Sequence, residues 1–153
     1  DLEGAEAGYR EALAIQAGVG ARSAIIPRLN LGLVQSARGD HAASRTTLEA
    51  ALPVLAREGE RRLLAAAHAC LLPSLASARD GVAFDVHYAS ATELLESTST
   101  VEVDVASAAE RAGRLWRSAG DQQRSRVSFA LAHAQWTALK QEIQAKALEA
   151  FLR

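Results

Sequence analysis

An aspartate returns along the chain at Asp1, Asp40, Asp80 and Asp121, at intervals of 39, 40 and 41 residues, and each copy brings similar surroundings. Eight positions on stands a large residue, Tyr9, Leu48, Tyr88 or Phe129, and eleven positions on stands Ala12, Ala51, Ala91 or Ala132. Four positions after each acid come Ala5, Ser44, Phe84 and Ser125, and glycine precedes two of the acids as Gly39 and Gly120. Such a period means that one small unit is copied and stacked, because a unit of this size buries its apolar face only against a neighbour. Chains built this way work by presenting a surface.

The stretches between the acids have helical spacing. From Leu2 to Gln16 the apolar residues Ala5, Tyr9, Ala12, Leu13 and Ile15 recur at helical intervals, with Glu3, Glu6, Arg10 and Glu11 largely opposite. Asp1 can cap this helix and Gly18 with Gly20 can end it. Further helices are expected from about Ala21 to Arg38, His41 to Glu58, Glu60 to Arg79, Gly81 to Glu96 and Glu102 to Ala119. Pro53 cannot donate to Glu49, which predicts a kink in the helix from His41 to Glu58, and Pro73 predicts a bend in the helix from Glu60 to Arg79. Ser97 to Thr100 reads as a loop. Val101 to Val105 alternates like a strand, but a lone short strand has no partner in a helical chain. After Gly120 and Asp121 neither glycine nor proline appears, so the last segment is one long helix or two with a break near Thr137 to Gln141.

Composition narrows the function classes. The hydrophobic fraction is 49%, much of it alanine, which suits a thin core between closely spaced helices. A net charge of −1 supplies no general basic face for phosphates, so nucleic acid is not an expected partner. Cys70 is alone and offers no intrachain disulfide. No apolar run approaches the roughly 20 residues of a membrane span. The acidic N-terminus shows no signal peptide and the chain has no methionine, which reads as a piece of a longer, cytoplasmic protein. Fifteen arginines against two lysines, with abundant alanine, associate it with a GC-rich bacterial genome.

Leu31-Gly32 followed by Gln35, Ala112-Gly113 followed by Trp116, and the runs Ala5-Tyr9-Ala12 and Ser44-Leu48-Ala51 carry a family likeness. They resemble the tetratricopeptide repeat, in a form longer than the usual unit and similar to that of large bacterial signalling proteins. The resemblance implies an all-α fold, a right-handed superhelical solenoid of antiparallel helix pairs. Residues 1–19 would be a half repeat holding helix B only, 20–59 a repeat, 60–100 a divergent repeat, 101–140 a repeat, and 141–153 a capping or extension helix. In the divergent unit Leu72 replaces the glycine and Phe84 fills the small position, so that pair is expected to be splayed or shifted. The stretch from Leu139 to Arg153 is similar to the end of repeat regions attached to bacterial serine/threonine kinases and signalling ATPases.

In that family helix A lines a concave groove where peptides lie. This implies a groove built from Asn30, Leu33 and Ala37, from Cys70, Pro73 and Ser77, and from Glu110, Arg111, Arg114, Arg117 and Ser118. An asparagine there can donate to and accept from a peptide backbone together. Arg111, Arg114 and Arg117 share a broad helix face, and guanidinium forks suit carboxylate or phosphate. They form either a subsite for an acidic side chain or chain terminus, or a solvated face balanced by nearby acids. The acids Asp80, Asp85, Glu93, Glu96, Glu102, Asp104 and Glu110 run without an intervening cation. They make either a bipolar docking surface with the arginines or a block the arginines neutralise.

Trp136, Leu139, Ile143, Ala147, Ala150 and Phe151 form an apolar stripe, read as a cap on the array or as a dimer seam through Trp136, Leu139, Ile143 and Phe151. At the other end Tyr9 and Leu13 are expected to be partly bare. His41, His68, His87 and His133 include no pair three or four apart, so no helical metal pair is formed. Gly18-Val19-Gly20 lacks the lysine and the spacing of a phosphate loop, and no serine sits in a nucleophile elbow. No cofactor or metal is called for. The expected role is non-catalytic capture of a protein or peptide partner. Homodimerisation, or peptide sensing for an attached kinase or ATPase, is the alternative.

Overall fold

The computed structural model describes residues 1–16 and 24–152, and within them the chain is helical with no strand. The elements are α1 (Leu2–Gln16), α2 (Ile25–Ala37), α3 (His41–Glu49), α4 (Leu52–Arg57), α5 (Arg61–Ser77), α6 (Gly81–Thr98), α7 (Val103–Ser118), α8 (Gln122–Ala138) and α9 (Glu142–Leu148), followed by a 3₁₀ turn at Glu149–Phe151. The expected stop at Gly18 and Gly20 and the expected start at Ala21 lie outside the described residues.

The recurring acids are helix caps. Asp40, Asp80 and Asp121 each accept the backbone N–H three residues on, from Ala43 at 3.1 Å, Ala83 at 3.1 Å and Arg124 at 2.9 Å. Asp1 accepts from the Glu3 N–H at 3.1 Å. Each cap satisfies an N–H that the first helical turn leaves unbonded, worth about 1 kcal/mol. The helix before each cap ends in one recurring geometry, in which the cap residue's own N–H returns to a carbonyl five residues back: Asp40 to Gln35, Asp80 to Leu75, Asp121 to Trp116. This closure needs a left-handed residue just before the cap. Gly39 (φ +84°), Gly59 (φ +71°) and Gly120 (φ +83°) supply it, but so do Arg79 (φ +54°) and Lys140 (φ +58°), and Ser99 (φ +51°) closes α6 the same way before Thr100. Lys140 makes the break between α8 and α9, so the last segment is two helices and its corner carries no glycine.

The prolines act differently. The expected helix from His41 to Glu58 is interrupted at Ala50 and Ala51, and Pro53 lies in the first turn of α4, where its missing N–H costs nothing. Pro73 lies inside α5, which runs unbroken from Arg61 to Ser77. The loop expected at Ser97 to Thr100 is shorter than that, because α6 continues to Thr98.

Packing puts α5 at the centre. It touches α2, α3, α4, α6 and α7, and its residues from Ala65 to Ala76 are buried except for the half-buried His68. α1 rests on α2 alone among its main contacts and contains no buried residue, so Tyr9 and Leu13 are only half covered.

Two helix pairs close by the same device. The Ser44 hydroxyl donates to the Gly32 carbonyl at 2.8 Å between α3 and α2, and the Ser125 hydroxyl donates to the Gly113 carbonyl at 3.0 Å between α8 and α7. A Cβ on Gly32 would meet Leu48 Cγ at 2.6 Å, and one on Gly113 would meet the Phe129 ring at 2.9 Å. The pair α5–α6 fills the same positions with Leu72 and Phe84, both fully buried. Phe84 stacks on Tyr88 at 5.9 Å between centroids and meets Trp116 edge-on at 5.4 Å.

Candidate functional site

α2 and α7 both pack on α5, and the two hollows they share define a groove. At their N-terminal ends is a hollow of about 80 Å³, shared by Leu29, Asn30 and Leu33 of α2, Cys70 of α5, and Glu102 and Asp104 at the start of α7. Near their C-terminal ends is a wider hollow of about 370 Å³, lined by Ser36 and Ala37 of α2, Arg38 just after it, His41 of α3, and Arg111, Arg114 and Leu115 of α7. One turn of α2, from Leu33 to Ala37, separates the two.

The structure therefore brings together Asn30, Leu33, Ala37, Cys70, Arg111 and Arg114 of the expected groove. The side chain of Asn30 makes no hydrogen bond among the described residues, so its amide is available. Other expected members lie elsewhere. Pro73 is fully buried, which corrects its place in the groove: α5 is packed on every side at that level. Ser77 is exposed but faces α3, beside His41, Arg45 and Thr46. Glu110 turns toward α8, where it accepts from Trp136 Nε1 at 3.3 Å and from Arg114 at 2.7 Å. Arg117 lies over the Phe151 ring at 4.6 Å, at the C-terminal edge of the array. Arg114, besides its pair with Glu110, also lies over the Phe151 ring at 5.9 Å, so of the three arginines only Arg111 is without a salt-bridge or ring partner among the described residues.

Burial shapes the charges here. Glu102 is held above the usual carboxylate range, first by burial and then by the Asp104 charge, against the opposing pull of Arg62. Burial, then the Arg111 charge, pushes the His41 imidazole down, with Asp40 pulling the other way. The Cys70 thiol is pushed up to about 12, chiefly by burial, so it is inert as a nucleophile. Ser36 Oγ, His41 Nδ1 and Arg111 Nε, all from residues that line the wider hollow, are buried atoms with no hydrogen-bond partner. Such atoms are uncommon, and their gathering around one end of the groove marks it.

The acidic run is divided as well. Asp80 pairs with Arg45 at 3.0 Å, and Asp85 takes both prongs of Arg124 at 2.7 and 2.9 Å. These pairs tie α3 to α6 and α6 to α8, away from the groove arginines, whereas Arg38, which lines the wider hollow, pairs with Glu6 of α1 at 2.6 Å. The C-terminal stripe is split by the corner at Lys140. Trp136 is buried, Leu139 is half-buried against the core, and Phe151 stacks on Phe129 at 4.5 Å. Only Ile143 of those four is bare, at 84% exposure.

Sequence spacing missed one pair entirely. His68 of α5 and His87 of α6 meet Nδ1 to Nδ1 at 2.8 Å, one donating and the other accepting. Burial, then the second ring, pushes His68 down to about 4; burial also lowers His87, which Glu49, Arg45 and Asp80 surround. The two lie on different helices, so no interval along the chain signals them.

No family description matches the chain, and no curated protein matches it. Among solved structures it is similar to BtubC (BKLC) from P. vanneervenii, with 19% identity over 98% of this chain and 71% of that one, and a TM-score of 0.63. Likeness at that identity is a likeness of fold.

Proposed function

We propose that the chain is a non-catalytic protein-binding module that captures a peptide or helix in the groove between α2 and α7. The observation that carries this reading is the unpartnered Asn30 amide, set beside an open hollow with apolar walls. An amide there can bond an extended backbone while Leu29 and Leu33 take an apolar side chain. The finer architecture belongs to the same proposal: a right-handed tetratricopeptide-like solenoid, with α2, α5 and α7 as its inner helices. It is supported by the recurring caps, the Gly–Ser closures and the likeness in fold to BtubC. The resemblance in sequence supports a parent that is a cytoplasmic bacterial signalling protein, and an alternative role for the module is peptide sensing for an attached kinase or ATPase. No helix among the described residues is long and apolar enough to cross a membrane.

A peptide-display screen against the chain tests the groove. Selected peptides should lose most of their binding to Asn30→Ala and to the Arg111→Ala, Arg114→Ala double variant, with melting curves unchanged. Peptides that bind both variants at full strength would show that the groove is not the site. A second reading is self-association, favoured by Ile143 standing bare on α9. A solution mass of one chain across a wide concentration range would count against it.

A further inference from the structure

The groove has two electrically different ends. Glu102 and Asp104 stand at one hollow, and Arg111 and Arg114 stand at the other. The charges at both ends are incompletely matched from within. Glu102 and Asp104 form no ion pair among the described residues, and neither does Arg111, whereas Arg114 has Glu110 and Arg38 has Glu6. In the wall of the basic hollow, the Ser36 hydroxyl is 2% exposed and unpartnered, a donor left for an anion.

We propose that the groove reads charge order: it takes an extended peptide whose basic side chain sits at Glu102 and Asp104 and whose acidic side chain sits at Arg111 and Arg114. This rests on the groove reading above and adds a polarity to it. The helical rise sets Asp104 and Arg111 about 10 Å apart, and an extended chain advances about 3.3 Å per residue. The two ligand charges therefore stand about three to five positions apart. A ligand of one sign throughout meets repulsion at one end, so the arrangement rejects as well as selects. A cation at the acidic end also stabilises the charged form of Glu102, so capture of the basic side chain weakens as pH falls and that carboxylate protonates.

The test uses fluorescein-labelled peptides and fluorescence anisotropy on the whole chain. One peptide carries lysine and glutamate at the stated spacing, tried in both orders; a second carries two glutamates and a third two lysines. The mixed peptide should bind best in one of its orders. Glu102→Gln with Asp104→Asn should weaken it about fivefold, leaving the two-glutamate peptide equal or tighter. A two-glutamate peptide that binds the natural chain as well as the mixed one, with no effect of Glu102→Gln and Asp104→Asn, overturns the charge order and leaves the groove reading standing. Failure of every peptide to bind, or binding indifferent to Asn30→Ala and to Arg111→Gln, overturns both.

Discussion

The pair α2–α3 and the pair α5–α6 occupy equivalent places in the repeat yet are held together by opposite means. In α2–α3 a glycine lets Leu48 close onto the helix, and the Ser44 hydroxyl reaches the Gly32 carbonyl at 2.8 Å. In α5–α6 both positions are large, and Leu72 with Phe84 fills the space that the first pair leaves out. The first solution depends on the absence of a side chain, the second on the volume of two. One backbone pattern accepts either, because what it requires is a filled contact at this level and not a particular residue. The chain places the bulky version at its centre, where α5 is covered by neighbours on every side, and the close-packed version to either side of it.

This contrast makes the two pairs fail differently. The largest effect is expected in the bulky pair: Phe84→Ala empties a fully buried ring site and should cost about 4 kcal/mol in urea unfolding. A cost under about 1 kcal/mol would mean that Tyr88 and Trp116 collapse into the space and that volume is not what holds this pair. Next comes the close-packed pair. Gly32→Ala puts a Cβ 2.6 Å from Leu48 Cγ and should cost about 2 kcal/mol, less what alanine returns in helix propensity. A variant as stable as the natural chain would show that Leu48 moves aside freely and that the glycine is not needed for approach.

The smallest effect separates the pairs by pH. His68 and His87 join α5 to α6, and no such pair is found in α2–α3 among the described residues. His68 is held down to about 4 in the fold, whereas an unfolded imidazole binds its proton near 6.5. Below about 6.5 the unfolded chain therefore holds more protons, so stability falls as pH drops from there toward 4 and levels off below. His68→Gln should flatten this fall by about 1 kcal/mol, allowing for solvent at a half-buried pair. Urea midpoints at pH 7.5 and pH 5.0 measure it, and an undiminished fall in the variant would assign the acid sensitivity elsewhere.

Much of the helical architecture could be read along the chain because its causes are local. Asp40, Asp80 and Asp121 cap helices through N–H groups three residues away, and the apolar intervals report which side of each helix is covered. Corners marked by glycine at Gly39 and Gly120 were legible for the same reason. The corner at Lys140 was left open between two readings, since a lysine carries no signal for a left-handed backbone. For the candidate site, Asn30, Leu33, Arg111 and Arg114 were expected through the family pattern, and the structure sets the first two at one hollow and the last two at the other. Pro73 and Arg117 share that pattern and lie elsewhere, one sealed into the core and the other against Phe151.

By itself the sequence determined that this chain is helical and where Asp40, Asp80 and Asp121 cap its helices. Capping, glycine corners and helical periodicity all act within a few residues of the chain. Only the tertiary structure decided which side chains share a space: Glu102 with Asn30, Arg111 with Ala37, His68 with His87. Those meetings depend on how helices far apart in sequence lean on one another. A helix face about a third of a turn wide can look toward two neighbours at once, and packing chooses between them.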